Sequence, residues 1–293
     1  KSKPHVLSRD CENILSLGGQ VFGGFQEIFT MINNADLAFP EIEVNGEKIK
    51  LSHGMYSVCM DSKDRKVRET AFKAFYKAFR DVLNTITATY AGNVNKDVFL
   101  TKARKYNSCL ERALENEDVP AEVYKNLLKY VNGALPTLHK YVKDRKETLG
   151  YDEMHMYDMY VSLVEDAELK LPYEEAFKLV KKGLAPLGED YGKLLQKAHD
   201  EGWIDVEETE GKRSGAYSVG VYGIEHPYVL LNYQPTTHDV FTIAHELGHS
   251  MHSYKSDAAQ PKSKADYKIF VAEVASTVNE VLLLKYLLKN STD

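Results

Sequence analysis

The chemistry in this sequence concentrates in His245-Glu246-Leu247-Gly248-His249. At about 100° and 1.5 Å per helical residue, positions four apart differ by about 40° in direction and one turn in height, so both imidazoles can reach one metal ion. Glu246 lies about 100° from His245, close enough to hydrogen-bond a metal-bound water without ligating the ion. Two ligands and a general base in this layout point to a catalytic site with one Zn2+ per chain.

A catalytic zinc takes three protein ligands and keeps an open position for water. A further histidine six residues beyond His249 is excluded because that position is Lys255, and the order of residues excludes an inverted H-x-x-E-H. The remaining donors are carboxylates on the next helical stretch, Asp266, Glu273 and Glu280. Glu273 is favoured: it interrupts the apolar run from Ile269 to Val278, where an ionised carboxylate is costly to bury unless paired or bound to metal. Glu280 shares that face but lies about 10.5 Å further along the axis, which suits a hydrogen bond to one of the histidines, or a solvated side chain, better than ligation. His252 falls on the metal face and could contact substrate or support a ligand, or equally cap the helix or fill core. His238, at the helix start, and His226, beside Pro227, read as local structure.

These residues need a scaffold, and most of the sequence reads as helix. Phe72, Phe75, Tyr76, Phe79, Val82, Leu83, Ile86 and Tyr90 recur at spacings of three and four within 64–91, an amphipathic helix whose aromatic face is expected in the core. Similar patterns run through 97–115, through 121–146 with a kink at Pro136, and through 173–199 with a break near Gly183 to Pro186. Between Trp203 and Tyr233 glycines and tyrosines alternate with short β-rich runs, giving a small antiparallel sheet whose edge could hold an extended peptide. Thr237 or Asp239 is expected to cap the helix carrying the two histidines, and a last helix to run from about Asp266 to Leu288.

Composition narrows the partners. With 37 basic against 43 acidic side chains, a net charge of −6 and no basic block, nothing tracks a phosphate backbone, so nucleic acid is not expected. No window approaches the roughly 18 to 20 apolar residues of a membrane span. Cys11, Cys59 and Cys109 are odd in number and in no paired motif, which reads as reduced, half-buried thiols and a cytoplasmic setting. The 293 residues allow two domains or one large one.

The stretch from Thr242 to Tyr254, followed by Phe270 to Glu280, resembles the zinc centre of the oligoendopeptidase F group in the M3 (thimet-like) family of metallopeptidases. Asn33 to Ile42, His155 to Tyr160 and Gly215 to Ser218 resemble segments of that family in the same order, so the resemblance covers essentially the whole chain. It implies a mainly α, zincin-type helical shell around a channel, with a small antiparallel sheet before the active-site helix. It also implies endopeptidase action on short oligopeptides, His245, His249 and Glu273 as zinc ligands, and Glu246 as the base that activates water. Residues 1–80 would then be the end of an N-terminal region, and 81–293 a catalytic domain cut short at its C-terminus. A tyrosine and a histidine that steady the tetrahedral intermediate are expected beyond Asp293. Two other readings fit the residues: a zinc- and peptide-binding piece without turnover, and a helical interaction protein with a chance H-E-x-x-H.

Overall fold

The computed structural model describes residues 3–44, 46–164 and 169–290. Along them run α1 (Arg9–Leu17), α2 (Gly19–Met31), the hairpin β1 (Glu41–Val44) and β2 (Glu47–Lys50), α3 (His53–Met60), α4 (Arg65–Asp81), α5 (Leu83–Ala103), α6 (Cys109–Glu115), α7 (Ala121–Leu149), α8 (Tyr173–Gly183), α9 (Glu189–Asp200), β3 (Ile204–Asp205), β4 (Tyr217–Val219), β5 (Tyr228–Leu230), α10 (Thr237–Ala259), α11 (Lys262–Ala265) and α12 (Ile269–Asn290). The fold is mainly α, as the sequence implies. It divides into two units, Lys1–Leu51 with Ser62–Leu163, and Ser52–Asp61 with Val164–Asp293.

In the first unit the stretch read as one helix over 64–91 is two. Val82 leaves helical geometry (φ −112°, ψ 17°) and closes α4 with a tight turn onto Phe79 O. The break shifts the helical phase. Phe75 stays buried and stacks on Phe39, whereas Tyr76, Leu83 and Tyr90 are exposed, so only part of the expected aromatic face is core. The stretch 97–115 divides likewise at Lys105, whose φ is +60°, and Ser108 then caps α6 by accepting from Glu111 N at 3.0 Å. Helix α7 continues unbroken through Pro136. A buried ionic cluster organises this unit: Asp158 accepts from Arg65 Nη2 at 2.9 Å, Arg68 Nη2 at 3.0 Å and His155 N at 3.0 Å. Arg68, equally buried, uses its other donors on the Tyr157, Ser62 and Lys63 carbonyls, so no charge in the cluster is stranded.

The second unit is built around α10. Val240, Ile243, Ala244, Leu247 and Met251 recur at helical spacing and bury one face among Trp203, Phe177, Val180, Leu195, Val229, Leu231 and Leu283. Its N-cap is Thr236, one residue before the expected Thr237. The Thr236 hydroxyl accepts from Asp239 N at 3.1 Å. The sheet orders β3-β5-β4, with β4 and β5 antiparallel as read from the sequence. Strand β3 adds in parallel, because the long 206–227 connection returns the chain to the same end. The break between α8 and α9 falls at 184–188, where expected, and α12 begins at Ile269 rather than Asp266. Cys59 is buried in this unit, while Cys11 and Cys109 are exposed in the first, so none is half-buried as expected, and all three are free thiols.

Candidate metal centre

Helix α10 presents four faces, which follow from counting about 100° per residue from His245. His245, His249 and His252 lie within about 60° of one another, and the apolar face is centred about 220° away. Glu246 and Ser250, at about 100° and 140°, turn toward the sheet. Gly248, at about 300°, turns toward α12. The ligand face is therefore opposite the core, and both flanks are occupied by partners that fix its orientation.

Along the Gly248 flank α12 approaches very closely. A methyl group on Gly248 would stand 2.7 Å from Ser276 Cα and 2.9 Å from Ala275 O, so only glycine permits this distance. The approach carries Glu273 to the histidines. His245 Nε2 and His249 Nε2 are 3.1 Å apart, and Glu273 Oε2 lies 3.5 Å from the first and 3.6 Å from the second. These three are the group of metal-ligating type brought together among the described residues.

The triangle fits the ion the sequence implies. Tetrahedral ligands about 2.0–2.1 Å from a zinc ion stand about 3.3–3.4 Å from each other, close to the three observed edges. Two imidazole nitrogens and one carboxylate oxygen are also a donor set that leaves the fourth position open.

Two of the three candidate ligands are held from behind. His245 Nδ1 lies 2.5 Å from Glu280 Oε1, which as acceptor keeps the proton on Nδ1 and leaves Nε2 free to ligate. Ser276, fully buried, donates its hydroxyl to Glu273 Oε2 at 2.9 Å. Asn279, also buried, donates to Ala244 O at 2.9 Å and meets the Tyr191 hydroxyl at 3.0 Å, locking α12 to α10 one residue from Glu280. Burial lowers the pKa of His249 below that of a free imidazole, and His245 adds to this, which favours the neutral, ligating form.

Glu246 stands beside the triangle with a different environment. It is buried, and its Oε2 meets no hydrogen-bond partner among the described residues. Burial pushes its carboxyl above the ordinary range and the Glu273 charge adds to that; His245 and the Ser218 N–H pull the other way. A buried carboxylate with a raised pKa and one unpartnered oxygen is equipped to take and return a proton.

The other expected residues sit outside the triangle. His252 stacks on Tyr267, with ring centroids 3.8 Å apart, and its Nδ1 is buried without a partner. Asp266 and His238 are exposed. His226 stacks on Trp203 at 4.6 Å, a packing contact. Gly248, Ser276, Asn279, Ser218 and Ser250 were not singled out from sequence. The signal for the first was available, since a glycine inside an apolar helix usually marks a close approach. The others are small polar residues whose partners lie on separate elements.

Peptidase family M3 matches residues 58–293. Oligopeptidase PepF of Bacillus subtilis (strain 168) is 46% identical over the whole chain, which covers 44% of that relative. Group B oligopeptidase PepB of Streptococcus agalactiae is 41% identical, again over the whole chain and 48% of the relative. The crystal structure of oligoendopeptidase-F from Enterococcus faecium superposes with a TM-score of 0.64 at 33% identity, covering the whole chain and 45% of that one. The chain thus spans about half the length of the relatives it matches. Because the family match takes in the paired histidines, the adjoining glutamate and Glu273 within one span of 236 residues, from 58 through 293, this chain belongs to peptidase family M3.

Proposed function

We propose that this chain carries the hydrolytic centre of a zinc-dependent endopeptidase that cleaves internal bonds of short oligopeptides. The observation that supports it most is the triangle of His245 Nε2, His249 Nε2 and Glu273 Oε2 beside a buried carboxylate with a free oxygen. Relatives named oligopeptidase and oligoendopeptidase supply the substrate class. Residues 81–293 are assigned to the catalytic domain, inside the span matched by the family.

A zinc ion held by the triangle would polarise a carbonyl and acidify bound water. In this reading Glu246 accepts a proton from the water and delivers it to the leaving amine. Glu280 fixes the tautomer of His245, and Ser276 the orientation of Glu273. Val229 gives its N–H to Trp203 O at 2.9 Å, so its pairing with Ser218 is the non-hydrogen-bonded kind. Ser218 therefore turns its backbone N–H and C=O to the outer edge of β4, where Glu246 stands, and an extended peptide would pair there.

The test is metal analysis of the purified chain together with cleavage of a quenched fluorescent peptide, with and without chelator. Glu246→Gln is expected to keep zinc and lose about 10²- to 10⁴-fold in turnover. Full turnover in that variant refutes the assignment of the base. Stoichiometric zinc with peptide bound but uncut favours the binding-only piece, and absence of zinc refutes the assignment of the triangle to a metal.

A further inference from the structure

Beyond the candidate ligand triangle, α10 meets β4 and the glycine that follows it at three points. Ser250 Oγ, fully buried, lies 2.8 Å from Ser218 Oγ. A methyl group on Gly220 would come within 2.9 Å of Ser253 Cβ. The Ser218 N–H neighbours the Glu246 carboxylate. Glu246, Ser250 and Ser253 form one stripe along α10, at about 100°, 140° and 80° from His245. Residues 218 to 220, the last two of β4 and the one that follows it, span about 6.6 Å when extended while helix residues 250 to 253 advance about 4.5 Å in the same sense, so neither segment can slide without breaking a contact.

The ladder alone holds β4 poorly. The strand has three residues and, among the described residues, pairs only with β5 and forms the edge of its sheet. A peptide paired to that edge repeats every two residues, and a slip of one residue exchanges the faces of all its side chains. Whatever fixes the height of β4 against Glu246 therefore fixes which peptide bond arrives there. We infer that Ser250, through its hydrogen bond to Ser218, is a positioning residue that sets the cleavage register of a substrate paired to β4. The inference rests on the endopeptidase reading and adds the element that selects the bond.

The test uses the full chain and three readouts: zinc affinity by chelator competition, binding of a labelled nonapeptide to the Glu246→Gln variant by fluorescence anisotropy, and the bonds cut in active chain by mass spectrometry. Ser250→Ala is expected to weaken peptide binding about three- to tenfold, the range for one buried hydrogen bond, to spread cleavage over two adjacent bonds, and to leave zinc affinity within about twofold. Ser218→Ala should match it, and the double variant should be no worse than either single one. A merely structural role would move none of the peptide readouts selectively. Unchanged peptide affinity and the same single bond in Ser250→Ala overturn the inference while leaving the endopeptidase reading intact. If the reference chain binds neither zinc nor peptide, that reading fails and takes the inference with it.

Discussion

Gly248→Ala tests whether the distance between α10 and α12 sets the metal centre. The added methyl would stand 2.7 Å from Ser276 Cα and 2.9 Å from Ala275 O, both backbone atoms that no side-chain rotation can clear. Comfortable carbon contacts lie at about 3.5–4.0 Å, so α12 must retreat by about 1 Å. Glu273 is one turn before Ser276 on the same rigid helix. A retreat of that size would open its 3.5 and 3.6 Å distances from the histidine nitrogens to about 4.5 Å, whereas metal–ligand distances tolerate about 0.2 Å. If zinc instead draws the displaced α12 back into place, binding must supply the strain of an overpacked core, about 1–3 kcal/mol, or about 5- to 150-fold in the binding constant. Zinc affinity measured by competition with a chromophoric chelator should therefore fall about 10- to 100-fold. Gly192→Ala is the control. It is helical, nothing lies within 4 Å of the added methyl, and it should leave zinc affinity unchanged. Zinc binding by Gly248→Ala within twofold of the parent chain would show that helix spacing does not control Glu273.

Glu280→Ala removes the acceptor on His245 Nδ1 and should lower zinc affinity about 10- to 100-fold in the same competition, with Glu280→Gln, which keeps an acceptor oxygen, losing less. Chelation should lower the melting temperature of the zinc-loaded chain, because a ligand at 1,000 times its Kd adds about 4 kcal/mol; no shift would show that zinc does not bind the folded state preferentially. Asp158→Asn leaves the buried Arg68 without a counter-charge and should cost about 3–5 kcal/mol in urea unfolding. Burial raises the Asp158 carboxyl, but hydrogen bonds from Arg65, His155 N and Arg68 outweigh it and hold its pKa below the ordinary value. Its stabilisation is therefore present above the unfolded pKa and lost as pH falls through the folded one, so the parent chain should lose stability below about pH 4 more steeply than Asp158→Asn.

What could be read from the sequence was what one element decides alone. The two histidines and Glu246 share a helix, so their geometry follows from its pitch. Glu273 was reachable because an isolated charge in an apolar run carries its own explanation. The divided helices were missed because the apolar period continues across Val82, and only the backbone there reveals that its phase has slipped. That continued period places Leu83 and Tyr90 inside, and they stand outside. The supports of the site were hidden for a different reason. Ser218 and Ser250 are 32 residues apart, and Asn279 and Tyr191 are 88 apart, so nothing local in either member announces the other.

The two letters between Glu246 and His249 are usually written as free, yet here neither is. Leu247 is directed at the core with Val240, Ile243 and Met251, and it anchors the helix so that the opposite face must carry the imidazoles. Gly248 is directed at α12, and its missing side chain is the space through which Glu273 reaches them. Glu246 and Ser250 complete the circle against β4. A larger residue at 248 would leave both histidines, Glu246 and the core contacts in place and still withdraw the proposed third ligand, Glu273. The glycine therefore belongs to the proposed metal centre as fully as the residues that would touch the ion.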